Sequence, residues 1–187
     1  MKKKEKVRIV FGLGNEGKGF IGSRHNIGKE IIDFYIKEKE EKKYFYFENY
    51  SGLILASNKG YMNESGRGVK EALKIFKLKP ENLLVIHDEA DLIFPLFKVS
   101  FNTGSGGHKG IESLFKEFKS KRFWRFRIGI QKKKRILAGN LVLKKWDEEE
   151  KRILDKIKNE FKIILEKLKE KLPNELNLSK DYFLKIK

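Results

Sequence analysis

The 187-residue chain has no cysteine, which excludes disulfides, thiolate metal sites and a cysteine nucleophile. No apolar stretch reaches the roughly 18 residues that a membrane-spanning helix needs, so a membrane is not an expected partner. Prolines number three, and two of them, Pro80 and Pro173, are placed to stop helices. Acidic residues are outnumbered, 26 against 43 Lys and Arg, for a formal net charge of +17. A neutral metabolite requires no such excess; a polyanion fits it, and nucleic acid fits best. The opening Met1-Lys2-Lys3-Lys4, with Arg8 inside the short apolar run that follows, makes a poor signal peptide, and a cytoplasmic location is expected.

What is present is enough to build one domain. With 40% hydrophobic residues the chain can bury a sizeable core, and neither an internal repeat nor a low-complexity linker divides it. Val7 to Phe11 reads as a buried strand, Tyr44 to Phe47 and Leu53 to Leu55 as two more. Leu83-Leu84-Val85-Ile86 is the continuous apolar run of a central strand, ending on His87-Asp88-Glu89 and Asp91. Phe97 to Phe101 and Phe123 to Ile130 complete the set. Between them lie amphipathic helices: one after Asn26, an expected N-cap, with Ile27, Ile31, Ile32, Tyr35 and Ile36; one around Val69 and Leu73; one over Ile111, Leu114, Phe115 and Phe118. Lys37 to Lys43 reads as the solvated end of the first helix, and the basic run 132–135 as a loop. From Asp147 apolar residues step by three and four as far as Leu172, with Asp147 and Glu150 placed to cap the start. Strands alternating with helices predict a single α/β domain, a twisted mixed sheet covered by helices.

Glycine is where the chemistry starts. Gly12-x-Gly14-x-x-Gly17 has the spacing of a dinucleotide-binding fingerprint, but that motif requires a helix to open at once with its N-terminus on the pyrophosphate. Here Gly19 and Gly22 follow, and helical periodicity begins only near Asn26. A nucleotide-dependent enzyme is therefore the weaker reading. The polar groups instead come from separate loops: Asn15; Arg24-His25-Asn26; Met62-Asn63; Asp88; and the glycine-rich Gly104 to Gly110.

Their order and context resemble bacterial peptidyl-tRNA hydrolase of the single-domain type. The matching segments are Gly12 to Gly17, Ser23 to Asn26, Tyr61-Met62-Asn63-Glu64-Ser65-Gly66, His87 to Asp91, Gly106 to Gly110 and Phe123-Trp124-Arg125-Phe126-Arg127-Ile128-Gly129-Ile130. The resemblance implies cleavage of the ester between a peptide and the 3′-terminal ribose of tRNA, with no cofactor and no metal, by a protein expected to be a monomer. It implies His25 as general base, Asp88 as the carboxylate that orients it, and Asn15 and Asn63 as amide donors. It places Met62 in the wall of the site and Arg127 on a tRNA phosphate, with Lys98 on the adjacent strand assisting. Phe20 is expected to stack on the terminal adenosine of the 3′ CCA end, and Asn26, His108 and Lys109 to contact substrate or acceptor stem.

Each residue has a plainer reading. Asn15 and Asn63 suit turns, Met62 suits a core, and His108 suits a helix cap. Departures from the family pattern also stand out: Lys109 for Asn, Glu16 for the loop proline, Phe20 for Tyr, Ser57-Asn58-Lys59-Gly60 where Lys-Pro and Thr are common, and Ser100 for a basic residue. Lys109 cannot accept a hydrogen bond, which favours, as an alternative, an RNA-binding relative without turnover.

Overall fold

The computed structural model describes residues 6–132 and 135–185. Seven strands form one sheet: β1 Ile9–Gly12, β2 Glu40–Glu41, β3 Phe45–Tyr50, β4 Leu53–Asn58, β5 Leu83–Ile93, β6 Phe97–Phe101 and β7 Trp124–Gln131. Their order is β2-β3-β4-β1-β5-β7-β6. The central pairs β4-β1, β1-β5 and β5-β7 are parallel, and the pairs toward both edges, β2-β3, β3-β4 and β6-β7, are antiparallel. Five helices accompany them: α1 Ile27–Asp33, α2 Ser65–Ile75, α3 Lys109–Phe118, α4 Ala138–Leu141 and α5 Glu148–Leu168.

The continuous apolar runs of β1 and β5 are explained by burial on both faces. Val10, Leu84 and Ile86 join the side chains of α1 and α5 in one core, while Ile9, Phe11, Leu83 and Val85 join α2 and α3 in another. Alternate residues therefore serve opposite layers, as a two-residue strand period requires. The three-layer, mixed α/β architecture is the one the sequence predicts.

Glycines bring α1 down onto the sheet. A Cβ on Gly12 would lie 2.4 Å from the Gly28 carbonyl oxygen, and one on Gly28 would lie 2.1 Å from that of Ile86. This contact fixes the loop that precedes α1. The helix that a phosphate cradle would need directly after Gly17 is replaced by a single 3-10 turn, Lys18–Phe20.

Four expectations are corrected. Asn26 precedes α1 but makes no side-chain cap, because its carboxamide is used elsewhere. The charge run 37–43 is not a helix end: α1 stops at Asp33, and Glu40–Glu41 add a short edge strand to β3. β5 does not end on His87-Asp88-Glu89 and Asp91 but carries them within it and continues to Ile93, its register against β7 breaking between Glu89 and Ile93. Finally, α5 has the expected Asp147–Glu150 capping box but ends at Leu168, and Pro173 opens a separate 3-10 turn. The tail then returns to the sheet, burying Phe183 against Phe97 at 5.2 Å between ring centroids. Of the basic run 132–135, residues 133 and 134 lie outside the described residues. Among the described residues no helix is long and apolar enough to cross a membrane.

Candidate active site

Three side chains from distant parts of the chain meet at Asp88. His25 Nδ1 lies 2.7 Å from Asp88 Oδ1, and His108 Nε2 lies 2.8 Å from the same oxygen. Asp88 stands near the middle of β5 and is almost fully buried, at 2% exposure. His25 sits in the 3-10 turn Arg24–Asn26, and His108 precedes α3.

The tautomers follow from the partners. His108 Nδ1 accepts the backbone N–H groups of Gly110 and Ile111, capping α3, so the ring proton is on Nε2 and is donated to Asp88. His25 donates Nδ1–H to Asp88, which leaves the Nε2 lone pair without a partner among the described residues. His25 itself lines a cavity of about 300 Å³, whose walls also include Ser105 to Lys109, Ala138, Gly139 and Val142. The same three donors invite a reading as a metal site. With Nδ1 of His108 committed to two amide protons, the Nε2 lone pair that a metal would need is already protonated, so this donor set does not fit a cation.

Electrostatics support the arrangement. Burial would depress the His25 imidazole, but the Asp88 carboxylate beside it prevails and raises its pKa above 6.5. Burial would raise the Asp88 carboxyl, yet the two histidines hold it well below the usual carboxylate range. His87 takes no part in the dyad. Its Nδ1 bonds the Asp88 carbonyl oxygen at 2.7 Å, and burial, then His108, push its pKa well below 6.5.

The glycine loop is held by two asparagines acting as surrogate peptide groups. Asn58 accepts from Gly14 N (3.1 Å) and donates to Gly14 O (2.8 Å); Asn26 accepts from Asn15 N (2.7 Å) and donates to Asn15 O (2.9 Å). Asn15 Oδ1 accepts the Met62 N–H at 2.8 Å. Backbone and acceptor are thus all spoken for, leaving the Asn15 Nδ2 donor without a protein partner among the described residues. It borders a second cleft of about 650 Å³ alongside Asn26, Lys29 and Tyr46. Met62 is buried and joins the two groups, since a Cβ on Gly110 would lie 2.6 Å from its Sδ and 3.0 Å from His108 Cε1.

Other expected residues are placed differently. Asn63 is exposed beside Met62. Phe20 is half-buried, edge-on to the exposed Tyr61 at 6.2 Å. Asn26, expected to meet substrate, spends its carboxamide on Asn15. His108, expected to meet RNA, spends both nitrogens on Asp88 and α3. Lys109 is exposed, 3.1 Å from Glu112. Lys98 is exposed opposite Arg127 in the β6–β7 register. Arg127 itself is bound to Glu89, through Nε at 2.7 Å and Nη2 at 2.5 Å.

Several supporting residues escape sequence reasoning. Arg24 is completely buried, donating to Ile130 O (3.0 Å) and Glu150 Oε2 (2.5 Å) with its guanidinium 4.4 Å from the Trp146 ring centroid. The Val142 and Lys144 carbonyls accept the backbone N–H groups of His25 and Arg24. Arg125 bonds Thr103 Oγ1 and Gly104 O, holding the start of the glycine-rich loop. In the sequence Arg24 stands out only as one of the polar loop residues and Arg125 only as part of a matching segment, and neither position names a partner.

Comparison with known proteins agrees with the motifs. The family model described as peptidyl-tRNA hydrolase matches residues 9–182. The peptidyl-tRNA hydrolase of Lactobacillus helveticus is 33% identical over 158 residues, 80% of this chain and 85% of that protein. That of Persephonella marina is 33% identical over 186 residues, 92% of this chain and 96% of that protein. A crystal structure of peptidyl-tRNA hydrolase from Acinetobacter baumannii superposes with a TM-score of 0.76 at 24% identity, covering 100% of this chain and 99% of that one, and establishes the shared fold. On sequence, segment order and architecture together, this chain belongs to the peptidyl-tRNA hydrolase family.

Proposed function

We propose that the protein hydrolyses the ester joining a peptide to the 3′-terminal ribose of tRNA, with His25 as general base and without a metal. The observation that carries this reading is the His25–Asp88 contact, which engages Nδ1 and leaves Nε2 unpartnered among the described residues, on a side chain that lines an open cavity. A water deprotonated by Nε2 attacks the acyl carbon, the ester C–O bond breaks, and the proton passes from the imidazolium to the departing 3′ oxygen. Asp88 holds the ring in one tautomer and stabilises the imidazolium. The locked Asn15 amide supplies an N–H to the peptide, and Asn63 supplies a second from the adjoining turn. The excess of positive charge draws in the acceptor stem, and the phosphates are met by Arg127 and Lys98. Phe20 offers its ring to the terminal adenosine.

The test is acyl release from N-acylated aminoacyl-tRNA. The unmodified protein releases the acyl group, and His25→Ala loses about 10² to 10⁴-fold in rate while retaining tRNA binding. Tight tRNA binding with no release would establish the alternative, an RNA-binding relative without turnover. Lys109, standing for the family's Asn, is the feature that favours that alternative, but its ammonium is occupied by Glu112 at the outer end of the cavity wall.

A further inference from the structure

The residue expected to grip phosphate is already holding an anion. Of the five N–H groups of Arg127, Nε–H and one Nη2–H are directed at a single oxygen, Glu89 Oε2. That is the side-on edge of the guanidinium, one of the two with which an arginine takes a phosphate in a fork. The other oxygen of Glu89, Oε1, accepts the Asp91 N–H at 3.3 Å, a second contact that orients the carboxylate. Both side chains are mostly buried, at 20% and 12% exposure, so salt screens the pair weakly. Arg125, two residues before Arg127 on β7, is committed to Thr103 and Gly104. Glu89 thus stands where an RNA phosphate would otherwise sit, in a chain whose net charge attracts RNA of any sequence.

We infer that Glu89 competes with RNA phosphate for Arg127 and so limits the affinity for RNA. It weakens the hold on any RNA and so permits the deacylated product to leave. The inference rests on the reading that tRNA is the substrate. Because a carboxylate and a phosphate oxygen make the same demand on the guanidinium, the pair contributes little to binding until the phosphate displaces Glu89 or takes the end-on edge, where one N–H of each Nη is directed.

Glu89→Gln tests this, since it removes the charge but retains an amide oxygen to orient Arg127. Deacylated tRNA and an unrelated RNA hairpin should both bind roughly fivefold more tightly, about the contribution of a partly exposed ion pair. The slope of log K against log salt should steepen by about 1, one further phosphate contact. In acyl release, kcat and KM should fall together as product release slows. On an Arg127→Gln background the change in slope should vanish; its persistence would make Glu89 a general surface charge and overturn the inference. Unchanged or weaker RNA binding by Glu89→Gln would also overturn it, reducing Glu89 to a support for Arg127. The enzyme reading fails separately, if the unmodified protein binds tRNA but releases no acyl group.

Discussion

The imidazole of His25 is held by its neighbours in the form a base requires, and pH reveals this directly. Asp88 raises the ring's pKa above 6.5, and an imidazole acts as a base only when neutral, so under the proposed mechanism the acid limb of kcat/KM should fall above that value. Asp88→Asn should move the limb to lower pH and reduce the plateau rate; a limb that stays in place would show that another group titrates. The sign for stability is separate. A raised His25 pKa stabilises the fold below the unfolded value near 6.5 and loses that contribution as pH rises through the folded one. The depressed Asp88 acts oppositely, stabilising above about 3.8 and failing only as pH falls far below it. The pair therefore contributes most between these limits.

Elements set these residues in place through close packing and one buried ion pair. Gly28→Ala would force α1 away from β5, where the new Cβ meets the Ile86 carbonyl, and should cost about 3 kcal/mol in urea unfolding. Gly19→Ala, which meets nothing within 4 Å, should stay within about 0.5 kcal/mol. Glu150→Ala would leave the Arg24 guanidinium buried without its counter-charge and should cost about 3 to 5 kcal/mol. Arg24 adjoins His25, so this variant should also lower kcat more than it raises KM.

The whole molecule contributes its field. With a net charge of +17 the protein should bind tRNA strongly at low salt. If about six phosphates are neutralised, affinity should fall on the order of 10³-fold between about 50 and 200 mM salt. A titration that is flat over this range would show that the charge is only a solvated surface. The positive charge is spread along the sequence, and the cavity beside His25 carries Asp88, Glu89 and Asp91 together with Lys109 in its wall.

Sequence alone determined the layers and the cast of the site. Apolar runs of four residues suit a strand buried on both faces, helical stripes at three and four suit helices packed on those faces, and the polar loops fall between them in chain order. The pairing of His25 with Asp88 was implied by the resemblance of the segments that carry them to peptidyl-tRNA hydrolase, not by periodicity. What tertiary structure decided is the allocation of hydrogen bonds. Asn26 and Asn58 look like turn residues, and only the approach of their loops to Gly14 and Asn15 makes them surrogates for missing backbone partners. His108 became Asp88's second donor because α3 starts where β5 carries that carboxylate, and Arg127 met Glu89 because β5 and β7 are neighbours in this register. Periodicity records which face a side chain occupies; a donor and an acceptor find one another only when the chain brings segments tens of residues apart to within about 3 Å.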